Sequence, residues 1–250
     1  MDPNPMRDRA VDNWWLQEHP MSHWIRKISN RVDMDISQIA TIMEAAIGCG
    51  IRLNLPVPED GFHITRYVMY RRISEFFKTG TRSGKVLEVS GDRGAIFHMF
   101  EPTQIEYTPT SFPEVDAEHM PFADNAFDFV ICDQVIEHLA RPKTAVNEMK
   151  RVLRHGGWLI VATACMEVIH TRPDNVSDYW RFTPQGLQEL LAGFSNIYQC
   201  EGWGNREALA IVLFGGLQKY VPVSGHPYLE RVASYNEPHC PLSVWAIVQK

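Results

Sequence analysis

The 250-residue chain lacks several features that would settle its class at a glance. Its five cysteines, Cys49, Cys132, Cys165, Cys200 and Cys240, are scattered with no C-x-x-C pair, so neither a zinc ribbon nor a disulfide framework is expected. Reduced thiols of this kind point to the cytoplasm. No apolar run is long enough to span a bilayer, and the opening MDPNPMRDRAVDNWW carries no signal-like stretch, so no membrane role is expected. Basic charge is short: 24 Lys and Arg stand against 30 Asp and Glu, for a net charge of -6, which disfavours nucleic acid as the main partner. H-E-x-x-H is absent, and His19, His23 and His63 show no ligand spacing, so no metal is expected. The three-glycine spacing G-x-G-x-x-G is missing as well.

What is present is an ordinary globular composition, 45% hydrophobic and 22% charged. The first 80 residues read as a helical cap or lid. In DISQIATIMEAAIGCG, Ile36, Ile39, Met43 and Ile47 recur at helical spacing, and in ITRYVMYRRISEFFKTG the apolar side is read as Ile64, Val68, Phe76 and Phe77. From residue 81 to 250 strands and helices alternate. VLEVS, QIEYTPTS, FDFVICD, WLIVATA, SNIYQCEGW and LSVWAIVQK read as strands, AIFHMF as the opening of the first helix, and KTAVNEMKRVLR as an amphipathic helix stopped by Gly156 and Gly157. A helical insert is expected around 204–235, beginning with NREALAIVLFGGLQKYV. The pattern predicts right-handed βαβ units, hence an α/β fold with a mainly parallel sheet between helices.

Ligands in such a sheet sit just past the C-terminal ends of the strands. The windows of interest are therefore Ser90–Gly94, Thr110–Asp116, Asp133–His138 and Thr163–His170. A dinucleotide needs a backbone cradle for its pyrophosphate. VLEVSGDRG does not supply that spacing, and it sets Asp92 where phosphates would lie. A phosphate-free cationic cofactor suits the loop better.

The run DAEHMPFADNAFDFVICDQVIEHLARPKTAVNEMKRVLRHGGWLIVATA closely resembles the class I S-adenosylmethionine-dependent methyltransferases, in the branch with a type 11-like domain. The likeness covers residues 86 to about 195. It implies a Rossmann-like seven-stranded sheet whose last strand, LSVWAIVQK, is antiparallel, and S-adenosylmethionine as cofactor. It also implies a cofactor site made by Glu88, Val89, Ser90, Gly91 and Gly94 in the first loop. Ser111 would stand on the ribose side, Asp116 and Ala117 at the adenine with Phe122 closing that pocket, and Asp133 and Gln134 beside the methionine portion. TPTSFPEVD offers Thr110, Ser111 and Glu114 where the family usually places an acid for the ribose hydroxyls. Tyr67, Tyr70, Arg66, Arg71 and Arg72, on the helix leading into the domain, are candidates for the methionine carboxylate, the alternative being a solvated basic face.

Methyl transfer relies on holding nucleophile and donor in line, with a base where the acceptor is a hydroxyl or amine. His138 and His170 are the candidate catalytic residues; His138 either takes a proton or packs and caps. Glu137 is read as a solvated or helix-capping carboxylate. Tyr179, Trp180 and Arg181 in DYWRFTP are the candidate acceptor-binding residues, the alternative being a packed corner with Arg181 paired to Asp178. The expected reaction is O- or N-methylation of a small-molecule acceptor, a sugar or a glycosylated natural product. A catalytically silent binding module of the same fold is the alternative, and a homodimer is compatible with the sequence.

Overall fold

A computed structural model describes residues 63–80, 82–169, 177–215, 223 and 227–250. The expected helix over DISQIATIMEAAIGCG, with His19 and His23, lies outside them, as does most of the expected 1–80 cap. Helix α1 spans Ile64–Lys78 and begins at His63, whose ring accepts the Thr65 amide proton. Strand β1 is Gly84–Glu88, β2 Ile105–Pro109 and β3 Phe127–Asp133. Helix α2 (Pro142–Val152) leads into β4 (Leu153–Ala164). There follow α3 (Pro184–Leu190), β5 (Asn196–Trp203), α4 (Arg206–Gly215), α5 (Pro227–Ala233) and β6 (Ser243–Gln249).

The sheet runs β2-β1-β3-β4-β6-β5. The first four strands are parallel, while β6 is antiparallel to both β4 and β5. β1 thus has β2 on one side and β3 on the other, so chain order reverses at β1/β3 and a crevice opens at their C-terminal ends. Side chains alternate between two cores, as the period of two requires. Leu87, Val130, Cys132, Leu159, Val161 and Val248 face α2 and α3, where Val146, Met149, Leu187 and Leu191 cover them. Val86, Phe129, Ile131, Ile160, Trp245 and Ile247 face α1, α4 and α5. This two-sided burial is why β3 and the 158–164 stretch of β4 are largely apolar.

Several expectations are corrected. The described residues form six strands, not seven. The connection between Glu88 and Ile105 holds only two 3-10 turns, Phe97–Met99 and Pro102–Gln104, in place of the helix expected from AIFHMF. Ile96, Phe97 and Phe100 are all buried there, and Pro102 lacks the N–H that a helix would need. Helix α2 stops at Val152, short of the two glycines, because Leu153 already belongs to β4. Gly157 has a different duty: a Cβ there would stand 2.9 Å from the Arg154 carbonyl oxygen and 3.0 Å from that of Asp128. On α1 the buried face is Ile64, Met69, Tyr70, Ile73 and Phe76, with Val68 and Phe77 only partly covered.

Candidate functional site

The loop after β1 is built around one carboxylate. Glu88 ends the strand 3% exposed. Its Oε1 accepts the Gly94 amide proton at 3.1 Å, and its Oε2 accepts from the Tyr107 hydroxyl of β2. A Cβ at Gly91 or Gly94 would lie 2.8 or 2.7 Å from Glu88 Oε1, so both glycines are demanded by the carboxylate they wrap. The Tyr107 oxygen also accepts the Arg93 amide proton at 2.5 Å, and burial beside Glu88 holds its phenol protonated well above the usual range. Thr110 closes the other side. Its hydroxyl donates to the Glu88 carbonyl at 2.9 Å and accepts the Ser90 amide proton at 3.0 Å. Ser90 (φ 52°) and Arg93 (φ 56°) take left-handed backbone that costs non-glycine residues about 1 kcal/mol each.

The second wall comes from the end of β3. Asp133 Oδ2 accepts from the Tyr70 hydroxyl at 2.7 Å, whereas Oδ1 is buried with no partner. Burial raises the Asp133 carboxyl, against the pull of Arg66 and the Tyr70 hydrogen bond. Gln134 also has a left-handed backbone (φ 57°), held by its amide proton on the Ala162 carbonyl at 2.8 Å. Both polar atoms of its side chain are buried without a partner within 3.5 Å, though the amide leans on Asp133 and helps hold that carboxyl down, and Nη1 of Arg66 on α1 is likewise unmatched. Buried polar atoms are rarely left unmatched, so this group of a guanidinium, a carboxylate and an amide marks a place for a ligand. Cys132 points the other way, into the core, and burial pushes its thiol far above its ordinary value.

At the segment expected to meet an adenine, Asp116 stays on its own loop, with Oδ1 accepting the Glu118 amide proton at 2.8 Å. Ala117 is buried, and Phe122 packs on the same core. The following segment is tied down by Arg151, which donates to the Met120 and Phe122 carbonyls, Asp124 and Glu148. No acid ends β2, where Pro109 stands. Ser111, exposed, donates to Glu114 Oε2 at 2.9 Å.

The segment expected to meet the acceptor departs most from expectation. Glu137 is not solvated: it is 1% exposed, accepts from the Thr163 hydroxyl at 2.8 Å, and burial raises its carboxyl. Its carbonyl also accepts the Tyr179 and Trp180 amide protons. Three further bonds fasten the same segment. His138 Nδ1 lies 2.8 Å from the Ser177 carbonyl, Trp180 Nε1 donates to the Leu139 carbonyl, and the Phe182 amide donates to Ala164. A carbonyl can only accept, so His138 carries its proton on Nδ1 and keeps a lone pair on Nε2. Arg181 holds Asp178 through two bonds of 2.5 and 2.6 Å, the packed-corner arrangement. Tyr179 and Trp180 remain 54% and 43% exposed. His170 lies outside the described residues. The structure thus brings Glu88, Gly91, Gly94, Asp133 and Gln134 to one crevice, whereas Asp116 and Ser111 spend hydrogen bonds on their own loops. Sequence reasoning missed Tyr107 and Thr110 as the outer supports of the loop, since their partners are fourteen or more residues distant in chain.

Comparison with known proteins bears on the family of the chain. Residues 84–161 match a family model described as a methyltransferase domain. An uncharacterized protein of Methanocaldococcus jannaschii is 51% identical over 82 residues, 32% of this chain and 36% of that protein. A ubiquinone/menaquinone biosynthesis C-methyltransferase of Roseobacter denitrificans is 50% identical over 46 residues, 18% of each chain. A ubiquinone biosynthesis O-methyltransferase of Rickettsia typhi is 20% identical over 206 residues, 74% of each chain. The chain spans at most 36% of the length of the first curated relatives it matches.

Proposed function

Residues 84–161 are a methyltransferase domain of the class I S-adenosylmethionine-dependent family, and from that premise we propose that the chain methylates an oxygen or nitrogen of a small polar acceptor, a sugar or a glycosylated natural product. The observation that carries the cofactor side is the set of buried, unpartnered atoms at the ends of β1 and β3: Arg66 Nη1, Asp133 Oδ1 and the Gln134 amide. A guanidinium and a carboxylate offered together suit the carboxylate and ammonium of an amino acid, which is one end of S-adenosylmethionine. The residues fit that group. Glu88 keeps Gly91 and Gly94 flat so that backbone can pass close beneath it. Ala117, Asp116 and Phe122 form the adenine side, and the Ser111–Glu114 pair stands where the ribose hydroxyls would come.

When bound, the cofactor supplies an electrophilic methyl group on a sulfonium. The chain's own part is to orient and to take a proton. His138, with its Nδ1 proton committed to Ser177, has Nε2 free to accept the proton of an acceptor hydroxyl or amine. Glu137 fixes the backbone of Tyr179 and Trp180, whose exposed rings suit a sugar ring or an aglycone. Isothermal titration with S-adenosylmethionine and its demethylated product, followed by transfer of labelled methyl to a panel of glycosides, tests the reading. Absence of cofactor binding at millimolar concentration refutes it, and label appearing on carbon would move the reaction to the C-methyl class named for the Roseobacter protein.

A further inference from the structure

Backbone amides in the turn after a sheet's first strand are the usual donors to a phosphate, and in this chain most of them are already taken. Three of the five amides from Ser90 to Gly94 end on side-chain oxygens of the chain itself. Ser90 donates to the Thr110 hydroxyl at 3.0 Å, Arg93 to the Tyr107 hydroxyl at 2.5 Å, and Gly94 to Glu88 Oε1 at 3.1 Å. The Val89 amide stays in the sheet, on the Ile131 carbonyl. The two hydroxyls, one in β2 and one just past it, are themselves anchored: Tyr107 donates to Glu88 Oε2 and Thr110 to the Glu88 carbonyl. The concave side of the turn, where an anion would sit, is filled by the Glu88 carboxylate, 2.8 and 2.7 Å from where a Cβ on Gly91 or Gly94 would stand. Asp92 adds a negative charge near enough to act on the Tyr107 hydroxyl.

A phosphate arriving at this turn meets like charge, an occupied seat and amides whose protons point inward. A sulfonium or a neutral thioether on the same adenosyl group meets no such opposition. We propose that Tyr107 and Thr110 are specificity-determining residues: by capping the loop amides around Glu88, they make the crevice refuse adenine nucleotides with a phosphate at the 5′ position and admit adenosyl groups whose 5′ substituent is neutral or cationic. This selectivity rests on the methyltransferase reading and supplies what that reading leaves open, namely how nucleotides that share the cofactor's adenosine are turned away.

The test titrates the full chain with S-adenosylhomocysteine, 5′-methylthioadenosine and ADP. The wild type binds the first two, and binds ADP about 10-fold or more weakly than 5′-methylthioadenosine. Tyr107→Phe keeps the ring against Phe97, 4.4 Å between centroids, and removes only the hydroxyl. Thr110→Val keeps the shape and removes the hydroxyl that caps Ser90. Each variant releases one amide for a charged oxygen, so ADP gains about 10-fold relative to 5′-methylthioadenosine. General damage to the fold would weaken both ligands together and leave their ratio where it was. Amide hydrogen exchange gives a readout without ligand: Arg93 exchanges about 10-fold faster in Tyr107→Phe and Ser90 in Thr110→Val, while Val89 keeps its wild-type rate. Wild-type ADP binding as tight as that of 5′-methylthioadenosine, a ratio unchanged in both variants, or unchanged exchange at Arg93 and Ser90 overturns the proposal. Failure of the wild type to bind S-adenosylhomocysteine refutes the methyltransferase reading instead, and the exchange rates still decide whether the loop amides are capped.

Discussion

Replacing Gly94 by alanine tests the idea that the cofactor loop is shaped by the Glu88 carboxylate. The added Cβ would stand 2.7 Å from Glu88 Oε1, well inside contact distance, and would displace the carboxylate from the Gly94 amide or from Tyr107. Losing one charge-assisted hydrogen bond costs about 1.5–3 kcal/mol. For a domain of this size that is a Tm drop of about 3–12 °C. If the loop lines the cofactor, affinity for S-adenosylhomocysteine falls about 10- to 150-fold by the same energy. The discriminating variant is the double mutant. Once Glu88→Ala has removed the obstacle, Gly94→Ala meets nothing it must displace, and its further cost shrinks to about 0.5 kcal/mol or less. Thermal melts and titration calorimetry on the four proteins of this cycle give the coupling directly. Additive effects, with Gly94→Ala as damaging on the Glu88→Ala background as on the wild type, would refute the reasoning.

Further outcomes follow from the same geometry. His138→Asn keeps an N–H donor for the Ser177 carbonyl but no basic nitrogen, so turnover falls about 10²- to 10⁴-fold while Tm holds; turnover unchanged across pH rejects the proton-accepting role. Asp133 binds its proton more tightly folded than unfolded, so it favours the fold below the unfolded pKa of about 3.9 and loses that contribution as pH rises through the raised folded value. Asp133→Asn therefore gains Tm over the wild type at pH 7 relative to pH 4, while binding S-adenosylhomocysteine more weakly; a Tm difference independent of pH contradicts this. Arg151→Met frees the Met120–Asp124 segment from its carbonyl and carboxylate bonds and lowers stability by about 1–3 kcal/mol, read as an earlier urea midpoint.

Much of the fold is legible in the order of residues because periodicity is a local property. FDFVICD and WLIVATA read as strands covered on both faces, and they are the two central parallel strands of the sheet. LSVWAIVQK reads as the antiparallel closing strand, and β6 is that strand. The misreadings share one cause. AIFHMF has a helix-like apolar pattern, but its Ile96, Phe97 and Phe100 are all buried against the sheet and Pro102 breaks the run, so the segment forms two 3-10 turns instead. Val68 and Phe77 look as apolar as Met69 and Ile73, and only the direction from which the sheet approaches α1 chooses between them.

In the site the same division holds. The sequence by itself determined which windows close the strands, and Glu88, Asp133 and Gln134 fall in or beside them, although it carried the first two strands to Ser90 and Ser111 where the structure ends them at Glu88 and Pro109; a glycine at 91 and 94 marks a tight loop. Why those glycines are needed is decided only in three dimensions, where a carboxylate six residues before Gly94 occupies the space a Cβ would take. Glu137 looks like a solvated or capping acid in sequence. The tertiary structure buries it against Thr163 and spends Arg181 on Asp178, because hydrogen-bond partners and desolvation come from chain segments that sequence spacing does not connect.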